Sequence, residues 1–520
     1  MSDSSHAPLL IRADRIRAAG GDARAILVRD GRVAAIDPGA DVEGVPTLDL
    51  RGLTVTAGLT DAHVHLVEWA LARRQVELHG AASPEAVAAR VAEAAGRGSG
   101  WIRGRGWDPN PWVGAPHRRL LDAVVADRPV LLQSHDMHSL WLNTRALERA
   151  GIDASTPDPE GGRIERDEDG RPTGVVRENA MPLAYRAAPE PDRAARWAAL
   201  GDGQEALHRI GVTGVHTVEP DSLELLEAFR AGGRLRLRIL QHLPLARLDE
   251  AIALGLRSGF GGQWIRVGGV KMFLDGALGS RTAWLRDPYE GSDSRGVSTL
   301  PPDEFRAAVH RGAAAGLATT VHAIGDAANA LAVEVLTGAP ARLDGPVPHR
   351  IEHGQLVPAE LLAGGPRLEA VRRVIWSVQP SHLMTDWRAV DRHWGERGRR
   401  AFPLRSLERL GLTLALGSDA PVEPPDPRQG IYAAVARQDL EGAPGGGWYP
   451  DERLSMERAW AGYTTGPARA AGDARQGRLA PGAFADLVAW DRDPFQVPAA
   501  ELLELNPALT MVAGEVVWRG

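Results

Sequence analysis

Short apolar segments alternate with longer mixed segments through the middle of the chain. Each apolar segment has five to ten residues and is followed by polar or turn-forming residues, which is typical of a buried strand in a parallel sheet. The segments between them have the length of helices. Eight such strands predict an α/β fold built on a (β/α)8 TIM-like barrel. In chain order, the candidate strands are Leu53–Ala62, Thr213–Val218, Leu235–Leu243, Trp264–Phe273, Ala318–His322, Val347–Glu352, Val374–Gln379 and Thr413–Gly417.

The first two candidate strands lie about 150 residues apart, which is far more than a βα connection needs. We therefore expect residues 75–200 to form a cap segment inserted into a barrel that extends over residues 58–469. Tryptophan, arginine and proline are frequent in this segment. Because the loops after barrel strands surround the active site in such folds, we expect the insertion to cover the barrel mouth and to influence substrate choice.

Both ends of the chain carry strand patterns. Near the start, Asp30-Gly31 stands between two apolar runs, which is typical of a β-hairpin turn. Near the end, Ala485–Trp490 and Leu509–Val512 are apolar runs of strand length. We therefore expect residues 1–57 and 470–520 to form one small composite β-sandwich domain.

The composition excludes several classes of protein. With 44% hydrophobic and 24% charged residues among 520, the chain has the composition of a globular protein. Its net charge of −7 argues against a nucleic-acid partner, and the absence of cysteine excludes disulfides, thiolate zinc sites and a cysteine nucleophile. Neither a signal peptide nor about 18 consecutive apolar residues is found, so we expect a cytoplasmic protein without a membrane partner.

The chain uses lysine only once. Of its 60 basic residues, Lys271 is the single lysine. Arginine is effectively always protonated, whereas an amine can lose its proton or form a covalent adduct. A lone lysine in an arginine-rich chain is therefore a candidate for chemistry that arginine cannot perform. The alternative is a lysine left by drift in codon use.

Residue types that bind metals stand at the ends of five candidate strands. In a (β/α)8 barrel, catalytic groups lie at the carboxyl ends of the strands. His63 and His65 are two residues apart in an extended segment, so they point to the same side and could bind one ion. Four imidazoles and one carboxylate suit zinc or a similar divalent ion. The complete set at the strand ends is His63, His65, Lys271, His322, His353 and Asp419.

Each of these residues also has a structural alternative. A His-x-His pair occurs often by chance, and a single histidine at a strand end is commonly a hydrogen-bonded structural group. The metal site is favoured by the joint occurrence of the whole set, in order, at the strand ends.

The same segments resemble the amidohydrolase superfamily. The resemblance extends over essentially the whole chain, including both terminal strand regions. Two further segments, Gly279–Ala283 and Gly106–Leu147, resemble the branch that includes N-substituted formamide deformylase. The motifs similar to those of the first, fourth, fifth, sixth and eighth strands of the superfamily are Gly58–His65, Val270–Gly276, Val321–Asp326, Ile351–His353 and Gly417–Pro421.

The resemblance implies a hydrolase with two divalent metal ions, most commonly zinc. The implied ligands are His63, His65 and Asp419 for the more buried ion, and His322 and His353 for the second. Lys271, carboxylated on its side-chain nitrogen by carbon dioxide, would bridge both ions. Asp419 would also be the catalytic residue, taking a proton from the attacking water and passing it to the leaving amine.

Four more residues are candidates for contact with the substrate. His138 matches a position in the insertion of the branch, and a surface histidine is its alternative. Arg281 could clamp a carbonyl or carboxylate through its fork of donors, or it could hold the loop after the fourth strand. His382 lies just past the seventh strand. Trp107 could line a pocket or belong to the insertion's own core. For His216, at the end of the second strand, a packing role is expected.

The function predicted from these motifs is hydrolysis of an amide, formamide or related C–N bond in a small molecule. Deamination or opening of a cyclic amide by a one-metal relative is a second interpretation. Lys271 argues against it, because such relatives generally lack the bridging lysine. A catalytically inactive binding or scaffold protein is a third, although missing ligands would then be expected. The expected oligomeric state is a homodimer.

Overall fold

A computed structural model describes residues 7–39, 42–96, 100–109, 112–134, 139–159, 162–220, 222–339, 347–365 and 367–520. Its strands are, in chain order, β1 (Leu9–Ala18), β2 (Gly21–Arg29), β3 (Arg32–Ile36), β4 (Thr47–Ala57), β5 (Leu59–Val64), β6 (Val76–Glu77), β7 (Ile102–Trp107), β8 (Val130–Ser134), β9 (Ser139–Leu142), β10 (Gly162–Arg166), β11 (Pro172–Glu178), β12 (Val212–Thr217), β13 (Arg238–Pro244), β14 (Ile265–Phe273), β15 (Thr319–Ala323), β16 (Arg350–His353), β17 (Ile375–Val378), β18 (Thr413–Leu416), β19 (Leu487–Trp490), β20 (Pro507–Val512) and β21 (Glu515–Arg519).

The α-helices are α1 (Leu66–Ala72), α2 (Pro84–Ala95), α3 (Arg118–Asp122), α4 (Thr144–Ala150), α5 (Met181–Tyr185), α6 (Arg193–Arg209), α7 (Leu223–Ala231), α8 (Leu248–Ala253), α9 (Pro302–Ala314), α10 (Asp326–Gly338), α11 (Ala359–Leu362), α12 (Leu368–Val371), α13 (Ser381–Trp394), α14 (Leu404–Arg409), α15 (Pro427–Ala436), α16 (Met456–Gly462) and α17 (Thr465–Ala470). Within the described ranges, none of these helices has the length and apolar content that crossing a membrane requires.

Eight strands form one parallel sheet that nearly closes into a barrel. Hydrogen bonds join them in the order β18-β17-β16-β15-β14-β13-β12-β5, and each neighbouring pair is parallel. Where β18 meets β5, Asp419 N donates to His63 O at 2.7 Å and His65 N donates to Ala420 O at 2.8 Å. The carboxyl ends of the strands therefore meet at one rim. The predicted (β/α)8 barrel is confirmed.

Burial on both faces explains why most of these strands lack the regular alternation of apolar and polar residues that a strand with one exposed face shows. In β12, β16 and β17, every residue is buried. A parallel sheet has this property because its helices cover one face and the barrel interior fills the other. The main hydrophobic core lies between strands and helices and includes Val309 of α9, Val335 of α10, Ile351 of β16 and Trp376 of β17.

The first predicted strand, Leu53–Ala62, is divided at Gly58 in the structure. The part up to Ala57 belongs to β4 in another sheet, and the part from Leu59 onward is the barrel strand β5. A Cβ atom at Gly58 would lie 2.3 Å from Thr213 Oγ1, so only glycine allows the chain to pass this close to β12. The apolar pattern could not show this division, because the partners that separate the two halves lie far away in the sequence.

Strands from both ends of the chain form a second sheet. Its order is β21-β20-β19-β4-β1-β2-β3, and β19 joins the C-terminal strands to β4. Ile11, Val55, Leu487 and Met511 share one hydrophobic core. Hydrogen bonds thus join strands from the two termini into one continuous sheet. The composite β-sandwich domain expected for residues 1–57 and 470–520 stays a prediction. The hairpin at Asp30-Gly31 is confirmed, with both residues at positive φ, as a tight two-residue turn requires.

Residues Ala70–Leu200 form a compact unit of their own. Its sheet has the order β10-β11-β9-β8-β7-β6. Trp107, Trp112 and Trp141 pack together in its core, with ring centroids 6.0–6.3 Å apart. The aromatic residues that are frequent in this part of the sequence thus build the core that lets the inserted segment fold as a unit.

A buried histidine on α6 makes the stability of the protein sensitive to acid. Burial lowers the pKa of His208 to about 4, although the bond between its Nε2 and Arg236 O, at 3.0 Å, favours the protonated ring. In the unfolded chain, His208 therefore binds a proton near pH 6.5, whereas in the folded protein it binds one only near pH 4. We expect His208 alone to lower the free energy of unfolding by about 2 kcal/mol between about pH 7.5 and about pH 5.

Urea unfolding at the two pH values tests this expectation. His208→Gln keeps a donor for Arg236 O but cannot titrate, so it should lose less stability in acid than the wild type. His310→Gln, at an exposed position of α9, is the matched control and should behave like the wild type. Equal acid losses in His208→Gln and the wild type would contradict the assignment.

Candidate metal centre

The six candidate ligands lie together at the carboxyl rim of the barrel. Each candidate ligand lies at or near the carboxyl end of its strand. The ligands come together because the sheet closes into a barrel, although they are far apart in the sequence. By strand, they are His63 and His65 at the end of β5, Lys271 in β14, His322 in β15, His353 at the end of β16 and Asp419 after β18.

Three of the candidates form a compact group of donor atoms. His63, His353 and Asp419 each offer one ligand atom, and these atoms lie within 4.8 Å of one another. Asp419 Oδ1 is 3.2 Å from His63 Nε2 and 3.4 Å from His65 Nε2. One carboxylate oxygen thus lies beside both histidines of the His-x-His pair.

The Lys271 amine is buried beside this group. Its Nζ has no hydrogen-bond partner among the described residues. Burial lowers the pKa of Lys271 to about 8, against the attraction of the Glu352 and Asp419 carboxylates. Buried polar groups are nearly always hydrogen-bonded, and an exception calls for an explanation. The absence of a partner for this buried amine is therefore not explained by packing against the described side chains.

His322 lies next to His353, with ring centroids 4.4 Å apart. Its Nε2 lies 3.0 Å from the carbonyl oxygen of Gly276, so this nitrogen carries the proton and donates. Nδ1 is then the nitrogen with a free lone pair. Burial lowers the pKa of His322 to about 3, so the ring is neutral. A neutral imidazole is the form that binds metals.

Two of the candidate ligands have an unusual backbone conformation. His353 has a φ of 71° and Asp419 a φ of 60°, in the left-handed region that residues with a Cβ rarely adopt. Such a residue costs about 1–3 kcal/mol and persists only where the surroundings enforce it. The conformation turns the chain at the strand end. Glu352 and His353 can then both lie beside His63, although consecutive strand residues normally point to opposite faces.

Below the rim, His63 is held by a buried ion pair. Its Nδ1 is 2.6 Å from Glu352 Oε2, and the other carboxylate oxygen accepts from Arg350 Nε. Burial by itself would lower the pKa of His63, but the Glu352 and Asp419 carboxylates raise it above its ordinary value. Burial would raise the pKa of Glu352, but Arg350 and His63 hold it well below its usual range. Glu352 is therefore ionised and fixes the orientation of the ring.

Arg350 is fully buried, and its guanidinium N–H groups have several hydrogen-bond acceptors. Besides Glu352, it donates to Ala62 O at 2.6 Å, Ser377 Oγ at 3.0 Å and His216 Nδ1 at 3.0 Å. His216 therefore has the packing role expected from the sequence. The roles of Arg350 and Glu352 were missed there. The available signal was a pair of opposite charges two residues apart in a strand whose other residues must be buried.

A second buried carboxylate, that of Asp61, connects the strands that carry His63 and Asp419. It accepts from His63 N at 3.0 Å, Ser418 N at 3.1 Å and Ser418 Oγ at 2.5 Å. Burial raises the pKa of Asp61 to about 6, and these three bonds oppose the rise. Asp61 and Ser418 lie within the strand-end motifs Gly58–His65 and Gly417–Pro421, but the sequence alone indicated no role for either residue. The structure gives them the role of fixing β5 against the end of β18.

Of the residues considered for substrate contact, His382 lies at the site. It stands in the first turn of α13, with Nε2 3.8 Å from Asp419 Oδ2 and its ring stacked on His353 at 5.9 Å. Arg281 occupies an exposed turn after β14, with a φ of 56°. Burial and the charges of Arg281 and Arg392 lower the pKa of His393.

The two candidates in the inserted unit give no further support for a substrate site. Trp107 is fully buried in the core of that unit and donates from its indole N–H to Leu132 O at 2.9 Å. The structure thus shows a packing role for Trp107, the alternative that the sequence left open. His138 lies outside the described residues. Its contact with substrate stays a prediction.

The residues at the rim fit a divalent cation. Imidazole nitrogens and a carboxylate converge within 4.8 Å, the donor set that zinc and similar ions prefer. The unpartnered Nζ of Lys271 and Nδ1 of His353 are buried polar atoms in the same place. Glu352 holds His63, a candidate ligand, through Nδ1, the kind of contact that carboxylates commonly make with histidines at metal sites.

An eight-stranded parallel barrel with this donor set at its carboxyl rim defines a metal-dependent hydrolase. The chain belongs to the amidohydrolase family, whose model matches residues 47–518. The match includes the barrel, the inserted unit and four of the seven strands of the terminal sheet, namely β4, β19, β20 and β21 without its last residue. The resemblance seen in the strand-end motifs is therefore confirmed over nearly the whole chain.

Relatives and solved structures agree with this assignment. The chain is 30% identical to a Bacillus subtilis (strain 168) protein named as an amidohydrolase, YtcJ, over 91% of this chain and 90% of that one. It is 28% identical to N-substituted formamide deformylase of Arthrobacter pascens, over 95% and 94% of the two chains. The crystal structure of an uncharacterized metal-dependent hydrolase from Pyrococcus horikoshii OT3 superposes with a TM-score of 0.79, at 27% identity over 95% of this chain and 99% of that chain.

Proposed function

We propose that this protein hydrolyses an amide, formamide or related C–N bond of a small molecule at the barrel rim. The observation that carries the proposal is the convergence of His63, His353 and Asp419 beside a buried, unpartnered Lys271 amine. A packing site would not gather imidazoles, an ionised carboxylate and an amine in one buried place, because each must be desolvated. The likeness to an N-substituted formamide deformylase over nearly the full length supports the C–N bond as the target.

In this proposal the site would hold two divalent ions, and zinc is the expected metal. The residues that would hold them are His63, His65 and Asp419 for one ion and His322 and His353 for the other. Lys271, carboxylated on Nζ, would be shared between them. Two such ions supply Lewis acidity, which lowers the pKa of a water and polarises a substrate carbonyl.

Asp419 is the residue proposed to move the proton. Its Oδ1 lies within 3.4 Å of the His63 and His65 nitrogens, whereas Oδ2 faces His382. Burial would raise the pKa of Asp419, but the charge of His63 and hydrogen bonds from both histidines hold it well below its usual range. The ionised Oδ2 can therefore accept a proton from the attacking water and deliver it to the amine nitrogen as the C–N bond breaks.

His382 is the residue proposed to orient the substrate. Its Nε2 is buried, has no hydrogen-bond partner among the described residues and lies 3.8 Å from Asp419 Oδ2. Its Nδ1 lies 3.4 Å from Gln355 Nε2, which fixes the ring from the other side. A donor or acceptor held this close to the proton-carrying oxygen can position a substrate oxygen or nitrogen for the transfer.

The function is tested by activity of the zinc-loaded protein on a panel of N-formyl and N-acyl amines. We expect release of the amine and the carboxylic acid from at least one member, and none after removal of metal with a chelator. Asp419→Asn, which keeps the shape of the side chain, should lower kcat by more than about 100-fold. Turnover that survives chelation would contradict the proposal.

Metal content gives a second, independent test. Protein purified without chelator is expected to contain about two divalent ions per chain, because the proposal assigns His63, His65 and Asp419 to one ion, His322 and His353 to the other, and Lys271 to both. Elemental analysis by plasma mass spectrometry measures the number directly. An active preparation with no metal would disprove the whole site, and one ion per chain in active protein would disprove the two-ion arrangement.

A further inference from the structure

The last residue of β14, Phe273, is half exposed in a strand that is otherwise buried. The eight residues before it are buried, while Phe273 has 50% of its surface exposed. A single exposed apolar side chain is common at a protein surface, so it is the position of Phe273 beside the candidate ligands, more than its exposure alone, that points to a role. Phe273 follows Lys271 by two positions, so both side chains leave the strand on the same side.

The Phe273 ring contacts two of the candidate ligands. The Lys271 amine lies 4.7 Å from the ring centroid, and the His322 ring lies 5.4 Å away at a tilt of 39°. Its backbone is fixed as well, because it pairs with His322 in the sheet and its carbonyl oxygen accepts from Thr299 Oγ1 at 2.9 Å. One side of the ring therefore rests on the site, and the rest of its surface is open to a ligand.

A second exposed apolar side chain follows Asp419. Val422 is 61% exposed and is held in a turn by the bond from Val422 N to Asp419 O at 2.9 Å. Both ends of the candidate site, the one at Lys271 and the one at Asp419, thus carry an exposed apolar residue within three positions of a candidate ligand. Of the two, Phe273 is the one whose side chain contacts candidate ligands.

We propose that Phe273 determines specificity by binding an apolar substituent, an aromatic ring above all, on the nitrogen of the substrate. The inference rests on the proposed function, since it needs a C–N bond at the rim. An aromatic ring on the substrate would gain binding free energy by removing the exposed face of Phe273 from water and by stacking on it. A substrate with only a methyl substituent has too little surface to gain much from this contact.

The test compares two probes that differ only in the apolar group, N-benzylformamide and N-methylformamide. For the wild type we expect a higher kcat/KM with the benzyl probe. Phe273→Ala should lower the benzyl-to-methyl ratio of kcat/KM by about tenfold or more, mainly through KM, because contact with an apolar group is lost. Phe273→Leu, which keeps an apolar side chain and serves as a second folded variant, should give an intermediate ratio. Both variants should keep the metal content of the wild type.

Phe260→Ala is the matched control. Phe260 is 63% exposed but precedes β14, at the opposite end of the strand from Phe273, so its loss should leave the ratio unchanged. An unchanged ratio in Phe273→Ala, or a wild-type preference for the methyl probe, would overturn the inference and leave the proposed function standing. Turnover of neither probe and of no other N-formyl or N-acyl amine by the wild type would overturn the proposed function and the inference with it.

Discussion

Replacing Lys271 with arginine is expected to abolish most of the activity, although the positive charge and the approximate length are kept. The proposed carboxylated amine carries a negative charge between two cations, whereas a guanidinium is always protonated and cannot be carboxylated. At about 4 Å, repulsion between unit charges is about 1 kcal/mol even in water, and it is larger in a buried site. We expect loss of at least one ion and a fall in kcat/KM of more than about 10³-fold, equivalent to about 4 kcal/mol.

Lys271→Ala separates the carboxylated amine from a purely structural lysine. The alanine variant should also lose activity, but it leaves space where a short carboxylic acid could enter and supply the missing oxygens. We therefore expect acetate or propionate in solution to restore part of the activity and of the metal content in Lys271→Ala and not in Lys271→Arg. Two ions and near-normal kcat in either variant without added acid would show that Lys271 is structural.

Replacing Arg350 with methionine is expected to have the largest effect on stability. The guanidinium is fully buried and donates to four groups, and Glu352 would be left as an uncompensated buried charge. Breaking a buried ion pair by removing one partner costs about 3–5 kcal/mol. Unfolding by urea in the presence of zinc should show a loss of this size. A loss below about 1 kcal/mol would contradict the role given to Arg350.

Arg238→Met is the matched control for this experiment. Arg238 is also buried and paired, with Nη2 2.8 Å from Asp486 Oδ1, but its partner belongs to the segment just before β19 and not to the site. Both variants should lose stability. Only Arg350→Met should also weaken zinc binding, by about 10–100-fold in a competition with a fluorescent chelator, because Glu352 no longer holds His63. Equal zinc affinity in both variants would show that the Arg350–Glu352 pair acts on folding alone.

Much of the fold and of the site could be predicted from the sequence. The alternation of short, largely apolar segments with segments of helix length indicated a parallel barrel, because strands buried on both faces are rich in apolar residues. Once the strands were placed, the rule that barrel sites lie at carboxyl ends selected the six residues that the structure brings together. The His-x-His pair and the single lysine are local features of the sequence, and they can be recognised without knowing which strands are neighbours.

Contacts between distant strands were decided only by the tertiary structure. The segment around Gly58 reads as one continuous strand in the sequence, and its division between two sheets is seen only with its neighbour Thr213, more than 150 residues away. The role of the Arg350–Glu352 ion pair depends on His63 in another strand, because Glu352 contacts the His63 ring. The positive φ of His353 and Asp419 and the exposure of Phe273 also arise from packing at the rim. Side-chain direction, burial and hydrogen bonding at such positions depend on register between strands far apart in the chain, and no local periodicity encodes that register.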